Sequence, residues 1–212
     1  MNTTMTLNDR EVLDALERIS SEIEGGLSGA LRLAGMAMVR HTVENFQRGI
    51  DPDDRPWRPT SSATLALRPG GGGGGKTLID TGLLVQSIST AIPRVDGSSV
   101  TIGTNRPGAR AHQEGMTIRP VRARKLAQPL TREARRTGPR RLGARFPTFI
   151  QRSKAGNLLI FKKERDGSIT PVFLLRDSVD IPQRRFLGFG RRMREGILEV
   201  FGGYIRRALG HE

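Results

Sequence analysis

The stretch "TFIQRSKAGNLLIFKKERDGSITPVFLL", residues 148–175, decides the fold class. It holds three short runs rich in β-branched and aromatic residues, separated by the turn pairs Ala155-Gly156 and Asp166-Gly167. Such runs between turn residues predict strands joined by tight turns, and therefore a small antiparallel meander. The three runs are Thr148–Arg152, Asn157–Lys163 and Ser168–Leu175.

Helical periodicity flanks this meander on both sides. Asn8 and Glu11 have the spacing of a capping box in front of apolar residues that recur at helical intervals. Two further helices are predicted at Ser28–Phe46 and Arg191–Leu209. The expected class is α+β, with N-terminal amphipathic helices and a C-terminal helix packed on a small antiparallel sheet, and with a long basic β-rich insertion.

Shorter elements are expected between the long helices. Asp96-Gly97 lies between the β-prone runs Ser87–Pro93 and Ser99–Thr104, which predicts a hairpin. Met116–Val121 is predicted as a strand and Leu130–Arg136 as a short helix. A length of 212 residues suits one domain. We therefore expect a single domain over 1–212, with a flexible Gly-rich loop at 60–77 and a basic inserted arm or meander at 118–178.

The positive charge is concentrated in one part of the chain. The whole chain carries a net charge of +14. Residues 105–154 hold fourteen arginines and lysines against only Glu114 and Glu133, whereas the first fifty residues are mildly acidic. A basic segment of this kind favours a polyanion partner, usually nucleic acid, although a solvated arm has the same composition.

Composition also limits the kinds of chemistry to expect. The chain has no cysteine, which excludes disulfides, thiolate metal sites and thiol catalysis. Charges among the first twenty residues, and the lack of a long apolar run, predict neither a secretion signal nor a membrane span. His41, His112 and His211 show no ligand spacing, and no catalytic set stands out. We expect no cofactor, no metal and no enzymatic activity.

Residues 68–77, "RPGGGGGGKT", match the phosphate-loop pattern from Gly70 to Thr77. A phosphate loop needs a buried strand before it and a helix directly after it. The preceding residues 60–69 are polar and end in proline, and Gly82 follows Lys76 by only six residues. The run is therefore interpreted as a flexible tether, with a P-loop NTPase kept as the second alternative.

Five groups of short motifs follow one another along the chain. They are Pro56-Trp57-Arg58-Pro59, Leu78-Ile79-Asp80-Thr81-Gly82 with Leu84, Ser87 and Ile88, Ile102-Gly103-Thr104-Asn105, His112-Gln113-Glu114-Gly115, and Ile181-Pro182 followed by Arg184-Arg185-Phe186-Leu187-Gly188. In this order they resemble the virion morphogenesis, or tail completion, family of Mu-like long-tailed phages. The sequence departs from the family pattern at Arg185, where proline is usual, and at Gly108-Ala109, where Tyr-Ala is frequent.

The resemblance implies a structural protein of the phage neck, assembled in the host cytoplasm. It implies a homo-oligomeric ring, commonly a hexamer, between the head connector or adaptor and the tail terminator or tail tube, with double-stranded DNA passing through the lumen. It also implies structural roles for the matching motif residues, which are Trp57, Asp80, Thr81, Gly82, Ser87, His112, Gln113, Gly115, Pro182, Arg184, Phe186, Leu187 and Gly188.

With the resemblance, the basic segment gains two competing roles: lining the DNA channel or contacting a neighbouring subunit. Without it, the same segment indicates a non-specific nucleic-acid-binding protein that acts as a monomer or dimer. The candidate residues are Arg119, Arg122, Arg124, Lys125, Arg132, Arg135, Arg136, Arg140, Arg141 and Arg145.

Overall fold

A computed structural model describes residues 26–68, 75–96 and 99–208. Its mixture of helices and small antiparallel sheets confirms the α+β class. The capped helix expected near Asn8 and the glycines 70–74 lie outside the described residues. The chain forms two compact units. The helical unit comprises the segments up to residue 55, 85–105 and from 186 onward, and the sheet unit comprises 56–84 and 106–185.

The helical unit is built around two long helices, and both of these helix predictions are confirmed. Its hairpin strands pair antiparallel, with Asp96 opposite Ser99. The expected strand at Ser87–Pro93 is wrong, because this region begins as a helix and the strand starts only at Arg94. The elements are α1 (Gly26–Arg48), α3 (Leu83–Ser89, which begins in the sheet-unit segment), β1 (Arg94–Asp96), β2 (Ser99–Thr101) and α7 (Arg191–Ala208).

The core of the helical unit lies along α1. Leu31, Ala34 and Met38 recur at helical spacing and are buried, which is why this stretch forms an amphipathic helix against α7 and the hairpin. Phe46 is fully buried, and its ring centroid lies 5.3 Å from that of Phe186. Aromatic pairs at this separation stabilise a core beyond their buried area.

The sheet unit contains the predicted meander as part of a four-stranded antiparallel sheet, and all three predicted meander strands are present. The elements are α2 (Ser62–Ala66), α4 (Ala109–Glu114), β3 (Met116–Ile118), β4 (Leu126–Pro129), α5 (Arg132–Thr137), α6 (Pro139–Arg145), β5 (Thr148–Arg152), β6 (Leu158–Lys163), β7 (Ile169–Arg176) and β8 (Val179–Ile181). The four-stranded sheet has the order β4-β7-β6-β5. A second, two-stranded sheet pairs β3 with β8.

One face of the four-stranded sheet is covered by α5 and α6. Ala134 and Leu142 from these helices pack on Val172 and Phe173, and all four are almost completely buried. On the opposite face the rings of Phe149 and Phe161 stack at 5.5 Å, and Phe149 remains 37% exposed. The sheet therefore has one core face and one open face, as antiparallel sheets commonly do.

Candidate functional site

The cavity of the sheet unit gathers motif residues from distant parts of the sequence. It has a volume of about 780 Å³. The pairing of β3 with β8 sets Met116 opposite Ile181, which brings the end of α4 beside the segment that follows β8. Of the thirteen residues for which the resemblance implies a structural role, those that line the cavity are Asp80, Thr81, Gly82, His112, Pro182 and Arg184.

Arg184 ties two other segments of the sheet unit to the cavity wall. Its side chain is only 8% exposed. Its Nε donates to the Arg58 carbonyl at 2.7 Å and its Nη2 to the Pro59 carbonyl at 3.1 Å, while its backbone N donates to the His112 carbonyl at 2.6 Å. Buried donors need such partners, so this one arginine fixes both the 56–59 loop and the end of α4.

Trp57 anchors the Pro-Trp-Arg-Pro loop to the segment that follows β8. The indole ring is 6% exposed, and its Nε1 donates to the Arg185 carbonyl at 2.8 Å. This bond and those of Arg184 run between the same two segments in opposite directions. The Pro-Trp-Arg-Pro loop is therefore held by three side-chain hydrogen bonds and by the burial of one aromatic ring.

Asp80 lies between two arginines of the cavity. The Nε of Arg68 lies 3.7 Å from Asp80 Oδ1, and Nη2 of Arg135 donates to Oδ2. The Nη1 of Arg68 also donates to the carbonyls of Lys76 and Ile79, at 2.8 and 3.0 Å. This contact joins the residue before the glycine run to the residues after it, and we call it the Arg68 clasp.

The clasp bears on the phosphate-loop hypothesis. The short helix α2 precedes the run instead of a strand, and Thr77 and Leu78 form a turn after Lys76. The next helix, α3, begins only at Leu83. Lys76 and Thr77 therefore do not have the strand–loop–helix setting on which phosphate binding by this motif depends.

The electrostatics of the cavity are dominated by arginine. Burial lowers the pKa of the Arg184 guanidinium, and the positive charges of Arg58 and Arg68 lower that pKa further. Burial also lowers the pKa of His112, with a second contribution from the charge of Arg184. Within the described ranges three buried nitrogens of cavity residues have no hydrogen-bond partner: Arg68 Nε, His112 Nδ1 and Arg135 Nη1.

The lowered pKa of His112 makes folding stability depend on pH. In the unfolded chain this histidine titrates near its ordinary value of about 6.5, so in the window below that value the unfolded state binds more protons than the folded state. We expect the wild-type midpoint of thermal unfolding to fall more than that of His112→Gln between pH 7.5 and pH 5, since glutamine cannot titrate. Equal losses, measured by calorimetry, would contradict the burial of this ring.

The other residues with an implied structural role lie outside the cavity. In the helical unit, Ser87 Oγ hydrogen-bonds to Thr104 Oγ1 at 2.7 Å, and Phe186 packs on Phe46. In the sheet unit, Gly115 adopts a φ of +70° directly after α4. Such a φ favours glycine. The remaining motif residues, Gln113, Leu187 and Gly188, are partly buried.

The ten basic candidates fall into two sets. Three of them contact other residues of the chain: Lys125 pairs with Asp177 at 2.6 Å, Arg132 donates to the Ala66 carbonyl, and Arg135 binds Asp80. The structure does not gather the ten into one cluster around the cavity, where only Arg135 contributes. The second set comprises the other seven, all exposed: Arg119, Arg122, Arg124, Arg136, Arg140, Arg141 and Arg145.

Two charged features were not predicted from the sequence. Arg58 and Arg68 line the cavity, although neither was expected to be a site residue. Lys162 is buried between Glu133 at 2.6 Å and Glu164 at 2.8 Å, and its Nζ lies 4.5 Å from the centroid of the Phe146 ring. The available signals were the place of Arg58 in the Pro-Trp-Arg-Pro motif and that of Arg68 beside a proline and a glycine run, while nothing near Lys162 in sequence marked it as buried.

Comparison with known proteins gives one match. A model of the phage virion morphogenesis family matches residues 7–143, which include most of the residues that line the cavity but not Pro182 or Arg184. Among curated proteins and among solved structures, nothing matches. Within the described residues, no helix is both long and apolar enough to cross a membrane. The match covers more than half of the sequence, and the chain therefore belongs to the phage virion morphogenesis family.

Proposed function

We propose that this chain is a tail completion, or neck, protein that forms a homo-oligomeric ring at the head–tail junction and lets DNA pass through its centre. The observation that carries the proposal is the family match over residues 7–143. The motif residues support a structural role, because Trp57 and Arg184 hold backbone segments together through carbonyl contacts. The head connector or adaptor and the tail terminator or tail tube are the expected neighbours in the virion.

The exposed arginines support the passage of DNA. Arg140, Arg141 and Arg145 lie on the short helix α6 and are all exposed, with no ion pair among the described residues. Contacts between arginine and phosphate do not depend on base sequence, and they weaken with salt because bound counterions are released. A conduit that must admit any sequence needs this kind of contact.

Position in the particle and oligomeric state test the proposal most directly. Imaging of assembled virions by electron microscopy should place the chain in a ring at the neck, and native mass spectrometry should give a closed oligomer. An obligate monomer that binds DNA tightly would favour the alternative, a non-specific nucleic-acid-binding protein. A chain absent from the virion would contradict the proposal.

Substitution on α6 tests the DNA contact. We expect the triple change Arg140→Gln, Arg141→Gln and Arg145→Gln to weaken duplex binding and to reduce the slope of log K against log salt by about 0.9 for each phosphate that an arginine no longer binds. Filter binding of a labelled duplex across a salt series measures both quantities. Arg110→Gln is the matched control, since this exposed arginine is already paired with Glu114 at 2.9 Å. If the slope of log K against log salt stayed unchanged in the triple variant, these arginines would not contact the DNA phosphates.

A further inference from the structure

The cavity carries more positive charge than its own carboxylates neutralise. Five arginines line it against two aspartates. Of the aspartates, Asp80 is bound by Arg68 and Arg135, and Asp180 accepts a hydrogen bond from Thr117 at 2.5 Å. The five arginines are Arg58, Arg68, Arg106, Arg135 and Arg184.

Arg184 is a buried cation that has no counter-charge among the described residues. It is more than nine-tenths buried, and in the part of the chain that the structure describes no carboxylate lies within ion-pair distance of it. Its Nε and Nη2 bind neutral carbonyls, so its charge stays uncompensated. A buried charge is costly unless it is paired, and the partner that a guanidinium fork fits best is an oxyanion.

The nearby polar atoms are consistent with an oxyanion in the same place. His112 Nδ1 is buried on this wall and has no hydrogen-bond partner among the described residues. The charge of Arg58 acts on Arg184, and Arg58 is itself exposed. A single anion bound here would give Arg184 its counter-charge and His112 a partner.

The size of the cavity indicates which oxyanion to expect. Sites of roughly 300–1,000 Å³ enclose a ligand of drug size, which corresponds to a few side chains. The cavity, at about 780 Å³, falls in this range. A DNA duplex cannot enter such a recess, and its phosphates would instead meet arginines on the surface. A polypeptide that inserts a carboxylate fits a recess of this size.

We propose that the cavity binds aspartate and glutamate side chains from residues 9–24 of a neighbouring copy of this chain. That segment has six carboxylates against two arginines, so its charge complements the cavity. Its apolar residues recur at helical spacing, which would let one face present carboxylates at regular intervals. The inference rests on the proposed ring, because it needs a second copy next to the first.

Disulfide trapping in the full-length chain tests this contact, and the chain is suited to it because it has no cysteine of its own. Thr60 lines the cavity beside Pro59, so Thr60→Cys places a thiol on the wall. Ala15→Cys places the second thiol between Asp14 and Glu17 of the acidic segment. When the two single-cysteine proteins are co-expressed, so that one oligomer contains both, and are then oxidised, we expect a cross-linked heterodimer on a non-reducing gel.

Matched controls separate this contact from random collision. Ala123→Cys lies on an exposed stretch away from the cavity wall and should give several-fold less product with Ala15→Cys. Neutralising the acidic segment through Glu11→Gln, Asp14→Asn and Glu17→Gln should lower the yield of the cross-linked heterodimer several-fold. Neutralising the cavity wall through Arg58→Gln or Arg184→Gln should lower that yield to a similar extent. Arg58→Gln keeps the buried contacts of Arg184, so the test does not depend on a variant that fails to fold.

Three results would overturn the inference. The first is an oligomer that forms without the trapped product, which would leave the proposed neck function standing. The second is a trapped product whose yield does not change when the carboxylates or Arg58 are neutralised. The third is inorganic phosphate stabilising the wild type but not Arg184→Gln while no product forms, which would make the cavity a site for free phosphate. A different result, the absence of the chain from the virion, would contradict the proposed function itself.

Discussion

Replacing Gly190 with alanine should destabilise the helical unit strongly, although the change adds only one methyl group. Gly190 is buried directly before α7, and a Cβ at this position would overlap the carbonyl oxygen and carbon of Pro52. The obstacle is backbone, which cannot rotate out of the way as a side chain can. Overpacking usually costs roughly 1–3 kcal/mol, and we expect a decrease of about 3 kcal/mol in the free energy of unfolding.

Gly203→Ala is the matched control for this change. Gly203 lies within α7, and a Cβ there would meet nothing within 4 Å. Alanine in a helix interior is favoured over glycine by roughly 0.5–1 kcal/mol, so this variant should be more stable than the wild type. Urea unfolding followed by circular dichroism measures both. Similar changes in the two variants would mean that Pro52 does not pack on Gly190.

Phe173→Ala should have the largest effect in the sheet unit. Phe173 is 1% exposed and lies in the core that α5 and α6 form on the four-stranded sheet. Truncating a buried phenylalanine removes its transfer free energy and leaves a cavity, which together cost about 3–5 kcal/mol. The measurement is the free energy of unfolding of the full chain in urea.

Phe149→Ala supplies the comparison, because it makes the same chemical change on the other face of the same sheet. Phe149 is 37% exposed and stacks on Phe161, so its truncation should cost about 1 kcal/mol in the isolated chain. If the order of the two effects were reversed, α5 and α6 would have to cover the face that carries Phe149.

The meander could be predicted because its signals are local. Gly156 and Gly167 follow turn-forming neighbours and adopt φ values of +79° and +86°, and the β-prone runs on either side become strands. The fourth strand, β4, was not predicted because Leu126–Pro129 contains a proline and few β-branched residues. It is a strand through its pairing with β7, and as an edge strand it tolerates the proline.

The cavity depends on contacts that sequence spacing does not reveal. Arg135 and Asp80 are 55 positions apart, and the Arg184–Arg58 contact spans 126 positions. The motif order indicated that these segments belong to one family, but not that Arg184 would be buried without a carboxylate. Conversely, the arginines of the basic segment have similar sequence surroundings, and only the structure shows that Arg132 and Arg135 contact other residues of the chain.

Trp57 and Tyr204 give the two units separate optical signals. Each is the single residue of its kind in the chain. Trp57 is buried in the sheet unit, whereas Tyr204 packs against Gly29 in the helical unit. Long-wavelength excitation of the indole reports on the sheet unit alone, and the phenol reports on the helical unit through near-ultraviolet absorbance after the overlapping absorbance of the indole is subtracted. Whether the two units melt together or in succession can therefore be followed in the unlabelled native sequence.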